Sequence, residues 1–227
     1  MTRNHPTGER PPQTGIRRSL VRTATTSDLP GIVKIHQKAF SHFFLTQLGS
    51  DFLRKYYGLV LGYPAGIMLV SEGPGALDGF ACGFVGPTAF YHLMWRSRRI
   101  FALPVLSALL RQPSLATRVL SGIQRIQTPE SEWPAGSCEL SSIAVAPEVS
   151  GNGQGKALMR AFLARARSMD AECVYLTTDA DGNDAVNAFY REVGFQPTRR
   201  FLQRKGRWMN EYVINGREAG NGCETHL

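Results

Sequence analysis

Acid is scarce in this chain: 18 aspartates and glutamates stand against 26 lysines and arginines over 227 residues, a formal charge of +8. An acidic groove for cationic polymers is therefore not expected, and anionic ligands are. Cysteine is sparse too. Cys82, Cys138, Cys173 and Cys223 are scattered, with no C-x-x-C and no histidine pair at zinc spacing, so neither a disulfide framework nor a zinc site is expected. Cys82, Cys138 and Cys173 lie in apolar, strand-like runs and read as buried thiols, which fits a reducing cytoplasm. No apolar run reaches membrane-spanning length: the longest, near Ile100 to Leu110, is interrupted by Pro104 and Ser107. No signal peptide is read at the start. RNA-binding signatures, zinc fingers and basic DNA-binding helices are missing, so nucleic acid is not an expected partner.

Hydrophobic content of 43% suits a globular protein, and the length suits one well-cored domain. A basic leader is expected at 1–18, because the stretch to Arg22 carries five arginines and one glutamate among prolines and polar residues. The domain proper is expected over 19–214, with a flexible tail at 215–227.

The densest signal is Leu140 to Lys156, LSSIAVAPEVSGNGQGK. A strand-like run ends near Pro147, and Gly151, Gly153 and Gly155 follow just before a helical pattern from Lys156 to Ser168. Glycines remove side chains between the backbone N–H groups and a ligand, and a helix start adds unpaired N–H groups and the positive dipole end. Together they suit a pyrophosphate. A P-loop fits only weakly, because three residues rather than four separate Gly151 from Gly155, and Ala157 follows Lys156. The plainer reading of the loop alone is a glycine-rich strand-to-helix turn. The dinucleotide fingerprint fails on its last interval.

A second segment follows a strand at Cys173 to Thr178. Asn183 or Asp184 can cap a helix whose apolar positions are Val186, Phe189, Tyr190 and Val193, ended at Gly194 by a left-handed cap. Together the two segments resemble the signatures of the GNAT superfamily of acetyl-CoA-dependent N-acetyltransferases. The first is similar to Q/R-x-x-G-x-G/A, read as Ser150-x-x-Gly153-x-Gly155, and the second to N-x-x-A-x-x-F-Y-x-x-x-G-F. Ser150 and Val186 depart from the family's usual Gln/Arg and Ala.

The resemblance covers roughly residues 20 to 214. It implies an α/β GNAT fold: a mixed, mostly antiparallel central sheet flanked by helices. It further implies acetyl-CoA as cosubstrate, with no metal. Backbone groups of Ile143, Ala144 and Val145 would pair with the pantetheine arm. Ser150, Gly151, Asn152, Gly153, Gln154, Gly155 and Lys156 would hold the pyrophosphate, and Asn183 would touch the cofactor edge. Tyr190 falls at the family's general-acid tyrosine.

Acetyl transfer to an amine requires the amine to lose a proton and the departing thiolate to gain one. Glu139, at the start of the fourth strand, is the candidate base. Its plainer reading is a surface carboxylate at a strand end, and that of Tyr190 is a core aromatic. By alternation Ser141, Ile143 and Val145 are expected on the face of Glu139. His36, among apolar neighbours, reads as a packing histidine before a catalytic one.

Strands are expected at Ser19 to Thr23, Gly66 to Val70, Gly79 to Val85, Thr198 to Leu202 and Trp208 to Ile214, with helices from Leu29 to Phe40 and Ser50 to Leu61. Between the third and fourth strands, about 88–133, the chain departs from a minimal GNAT core. Two or three short helices are expected there, broken at Pro104 and Pro113. The insertion carries Arg96, Arg98, Arg99, Arg111, Arg118 and Arg125, with no acid before Glu130. Its plainer reading is a cap with arginines in water. The sharper one is a lid over the acceptor, or a surface meeting phosphates of a substrate or membrane.

The acceptor expected from these residues is a small-molecule primary amine. The resemblance implies that the segment between the first two helices and the loop joining the last two strands shape the acceptor pocket. Here they supply His42, Phe43, Phe44 and Leu45, and Arg204, Lys205, Arg207 and Trp208, aromatics and cations that would suit an amino sugar on a nucleotide diphosphate. The competing classes are a protein or peptide acetyltransferase and a non-catalytic acetyl-CoA-binding module. A monomer or homodimer is expected.

Overall fold

A computed structural model describes residues 20–127, 134, 136–203 and 206–215, and backbone alone at 124–127. The expected leader and all of the expected tail but Asn215 lie outside these residues, as do Cys223, Arg204 and Lys205. In chain order the elements are β1 (Val21–Thr23), α1 (Leu29–Ala39), α2 (Phe44–Gln47), α3 (Ser50–Gly62), β2 (Gly66–Glu72) and β3 (Leu77–Val85). The insertion follows as α4 (Pro87–Arg96), α5 (Arg99–Arg111) and α6 (Ala116–Gln127). Then come β4 (Cys138–Val145), α7 (Gln154–Arg167), β5 (Cys173–Asp179), α8 (Asp184–Glu192), β6 (Gln196–Gln203) and β7 (Arg207–Asn215).

The strands form one seven-stranded sheet in the order β1-β2-β3-β4-β5-β7-β6. Every pairing is antiparallel except β4 with β5. The mixed, mostly antiparallel sheet and the helical insertion between the third and fourth strands are as the sequence led us to expect.

Strand alternation divides the core in two. On one face Met68, Val70, Phe80, Cys82 and Phe84 pack against α1, α3 and α4, through Ile32, Leu53, Tyr57 and Phe90. On the other, Ile67, Leu69 and Ala81 meet α7 and α8, through Leu158, Phe162 and Tyr190. Phe84 and Phe90 stack at 3.9 Å, seating the first insertion helix on the sheet.

Some local expectations need correction. Pro104 does not break the insertion, because α5 runs through it from Arg99 to Arg111. The ring is buried with Phe101 and Ala108, and the Ile100 carbonyl, which loses its helical donor to the proline, accepts from the Lys55 ammonium at 2.8 Å instead. Pro113, by contrast, does open a new turn before α6. The chain offers Ser27 or Asp28 as the cap of α1. Asp28 takes the position, but its carboxylate turns back to the Thr25 N–H at 2.7 Å and to Arg22 instead of capping the helix. The Arg22 guanidinium holds that carboxyl well below the usual carboxylate range.

Candidate active site

The sheet opens between β4 and β5. Their pairing comprises Cys138 with Val174 and Glu139 with Tyr175. Beyond Glu139 β4 keeps its partner on the β3 side, while β5 keeps β7 along its whole length. Between them lies a wedge whose β4 edge, including Ile143, Ala144 and Val145, has no strand partner among the described residues. An edge of unpaired N–H and C=O groups is a template for an extended ligand.

A bulge at Ser141 shapes this edge. Cys82 pairs with Ser142 but Gly83 pairs with Leu140, so Ser141 is the extra residue. The expected alternation fails for that reason. Glu139 and Ser141 face the α3 side, where the Ser141 hydroxyl meets that of Tyr56 at 2.6 Å. Ile143 and Val145 turn to the α7 side.

At the far end of the wedge the glycine loop meets α7. Gly151 and Gly153 adopt φ of 87° and 80°, the left-handed region that L side chains rarely enter. A Cβ at either position would meet nothing within 4 Å, so open space lies in front of the loop. The first helical bond of α7 runs from the Ala157 N–H to the Gly153 carbonyl at 3.0 Å. The N–H groups of Gln154, Gly155 and Lys156 therefore precede any helical acceptor. Gly155 packs near the Phe189 ring of α8 and Val145 of β4, which brings loop, strand and helix together. These features fit an extended ligand ending in a pyrophosphate.

The side chains of the loop are disposed less uniformly than its backbone. Ser150 and Asn152 are exposed. Gln154 is buried and accepts from the Ser71 hydroxyl at 3.0 Å. The Lys156 ammonium pairs with Glu192 at 2.6 Å, an exposed contact that screens its charge. Asn183 stands at the start of α8, where its amide donates to Thr178 Oγ1 at 2.9 Å and to the Asp179 carbonyl at 3.2 Å.

Glu139 is not a surface carboxylate. It is 8% exposed and accepts from Tyr91 at 2.9 Å and 3.1 Å and from Tyr175 at 2.9 Å. Tyr91 belongs to α4 of the insertion, and Tyr175 lies directly across β5. Neither phenol was singled out in the sequence, where nothing local links them to Glu139.

Tyr190 lies on α8 among Phe189, Phe195 and Tyr212, on the opposite face of the sheet from Glu139. Burial pushes its phenol up, so it stays protonated at neutral pH. Beneath it Asn187, buried and overlooked in the sequence, ties the helix down. Its amide donates to the carbonyls of Asp179 at 2.9 Å and Asn183 at 2.8 Å, and its oxygen accepts from Asn210 and Tyr212.

The segments expected to shape an acceptor pocket do meet. The Arg207 guanidinium lies 5.3 Å from the Phe43 ring centre and donates to Asp179 at 3.0 Å, at the end of β5. Arg118 of the insertion likewise lies 5.3 Å from the Phe44 ring centre. Trp208, half-exposed, is covered by Arg200 at 5.0 Å.

His36 is a buried packing histidine. Its Nδ1 contacts the Tyr57 hydroxyl at 2.6 Å, Nε2 has no partner among the described residues, and burial lowers its pKa to about 4. The unfolded chain, near 6.5, then binds more protons than the folded one between these values, so stability rises with pH across that window. Melting temperature should be steady above about pH 6.5 and fall progressively from there toward pH 4. In His36→Phe that part of the slope should vanish; an equal slope in both proteins would assign it to other groups.

Residues 120–195, from α6 through α8, match the model of the acetyltransferase (GNAT) family. No curated protein matches the chain. Solved structures share its fold at low identity. The ribosomal-protein-S18-alanine N-acetyltransferase from Escherichia coli aligns at a TM-score of 0.56 and 15% identity, over 91% of this chain and 99% of that one. An N-acetyltransferase from Staphylococcus aureus Mu50 aligns at 0.59 and 15%, over 88% and 99%. A phosphinothricin acetyltransferase of the GNAT superfamily from Sinorhizobium meliloti, in complex with acetyl-CoA, aligns at 0.57 and 15%, over 87% and 88%.

Proposed function

We propose, from the premise that this chain has the GNAT fold and matches the acetyltransferase (GNAT) family over residues 120–195, that it transfers an acetyl group from acetyl-CoA to a primary amine of a small molecule. The observation that carries this reading is the wedge between β4 and β5, with the glycine loop at one end and Glu139 and Tyr190 on its two faces.

Acetyl-CoA supplies a thioester, an acyl group already activated toward an amine. In this reading the free β4 edge at Ile143, Ala144 and Val145 binds the pantetheine arm by backbone pairing. The N–H groups from Gly151 to Lys156 hold the pyrophosphate, with Ser150 and Asn152 at its rim and Asn183 at the cofactor edge. Glu139 takes the proton of the acceptor ammonium. The phenols of Tyr91 and Tyr175 fix the carboxylate's orientation, and two donated protons, that of Tyr91 shared between both oxygens, leave it lone-pair capacity for the acceptor's proton. The free amine adds to the thioester carbonyl and the C–S bond breaks. Tyr190, kept protonated by its apolar surroundings, gives its proton to the departing sulfur and regains, through solvent, the one shed by the newly acylated nitrogen.

The acceptor we favour is an amino sugar, free or carried on a nucleotide diphosphate. Arg207 beside Phe43 brings a guanidinium and an aromatic ring together on one face of the sheet, a pairing that suits a phosphate and a sugar ring. A panel of amino sugars, sugar nucleotides, polyamines, aminoglycosides and peptides, read by thiol release, tests it. Turnover confined to peptides would make this a protein acetyltransferase, and no turnover at all a binding module. In the same assay Tyr190→Phe should keep acetyl-CoA affinity and lose roughly ten- to a thousand-fold in kcat. A wild-type kcat would reduce Tyr190 to packing.

A further inference from the structure

Helix α5 is apolar on the side that should face water. From Ile100 to Leu110 it carries no charged residue. Phe101, Pro104 and Ala108 point inward, where Phe101 packs on Phe52 of α3 with ring centres 5.1 Å apart. The opposite side should then be polar. Instead it presents Ile100, Leu103, Leu106 and Leu110, which are 43%, 74%, 53% and 77% exposed. A cap with only its arginines in water leaves these leucines unexplained.

Length and charge decide what covers them. Thirteen residues make a helix of about 20 Å, short of a bilayer's hydrocarbon core, and one side is already packed on the domain. No helix among the described residues is long and apolar enough to cross a membrane. The stripe is bracketed by exposed cations: Arg96, Arg98 and Arg99 before it and Arg111 after it. No acid occurs from Pro87 to Gln127. Among the described residues Asp51 of α3 is the one carboxylate lining the groove beside α5, and it is already paired with Arg54. Trp95 sits at the arginine end, with the Arg98 guanidinium 4.6 Å from its ring centre. Leucines flanked by arginines, with an aromatic at one end, match a helix lying in a headgroup layer. Against a second copy of the chain the same arginines would face one another.

We propose that the outward side of α5 seats the protein on an anionic lipid surface, leucines in the acyl boundary and arginines on the headgroup phosphates. The inference does not depend on the acetyl-transfer reading.

Flotation of the full chain with vesicles tests it, at roughly 0.15 M salt so that non-specific attraction is screened. Phosphatidylcholine vesicles with about a third phosphatidylglycerol should carry the protein roughly tenfold or more better than phosphatidylcholine alone. Leu103→Ser with Leu110→Ser should lower that binding at least about tenfold. Arg99→Gln with Arg111→Gln should do the same on anionic vesicles only. Both pairs are exposed, so circular dichroism and melting temperature should be unchanged. Failure to float with either vesicle overturns the proposal, as does equal flotation with both. A wild-type dimer in size exclusion that the serine pair converts to monomer, without vesicle binding, makes the stripe a self-association surface instead.

Discussion

Glu139→Gln should cost about a hundred- to ten-thousand-fold in kcat/KM near neutral pH, the range that proton transfer by a positioned side chain usually supplies. The argument rests on where the carboxylate stands. It is 8% exposed and held by Tyr91 and Tyr175 from two different elements, a degree of fixing that a strand-end surface acid would not show. Glutamine preserves the shape, and its carbonyl oxygen still accepts from a phenol, so the fold should survive. It cannot take up a proton. The wild-type rate should rise with pH to a plateau as the amine loses its proton. The variant should recover part of its activity at high pH, where the amine deprotonates unaided. A variant profile parallel to wild type at every pH would remove Glu139 from the chemistry and leave its phenol clamp as a structural feature of the insertion.

Gly153→Glu should abolish measurable acetyl-CoA binding in calorimetry. Two effects act together. The backbone at this position has φ of 80°, which a side chain resists by about 1–2 kcal/mol. The added carboxylate would stand where the loop's N–H groups await an anion, replacing attraction with repulsion. Because a Cβ there meets nothing within 4 Å, the substitution creates no clash in the core, and a folded variant is expected. Gly153→Ala separates the two causes: it carries the strain without the charge and should weaken binding only moderately. Unchanged affinity in a folded Gly153→Glu protein would place the cofactor elsewhere.

Much of this molecule is written locally. The glycine loop before α7 and the Gly194 stop after α8 depend on backbone conformations that few residue types adopt, so they are visible in the chain itself: Gly151, Gly153 and Gly194 all take positive φ. Element order follows from apolar periodicity, and the seven strands appear in the expected sequence. The buried state of Cys82, Cys138 and Cys173 follows from their apolar neighbours in the same way.

What the chain could not announce depends on partners distant in sequence. Glu139 receives its phenols from residues 48 and 36 positions away, and no local pattern marks Tyr91, on a helix of the insertion, as its neighbour. Alternation sends Ile143 and Val145 to the face of Glu139; the bulge at Ser141 sends them to the other, because the register of β4 is set by β3 across the sheet. Pro104 looks like a helix end from its ring chemistry, yet α5 runs through it, its ring buried and the freed Ile100 carbonyl taken by Lys55 of α3. By itself, then, the sequence determined the loop, the caps and the order of the elements, since each rests on the conformational preferences of a few adjacent residues. Only the tertiary structure decided the wedge between β4 and β5, the faces on which Glu139 and Tyr190 stand and the outward leucines of α5, since each is set by which surfaces remain unpaired after the strands and helices have packed.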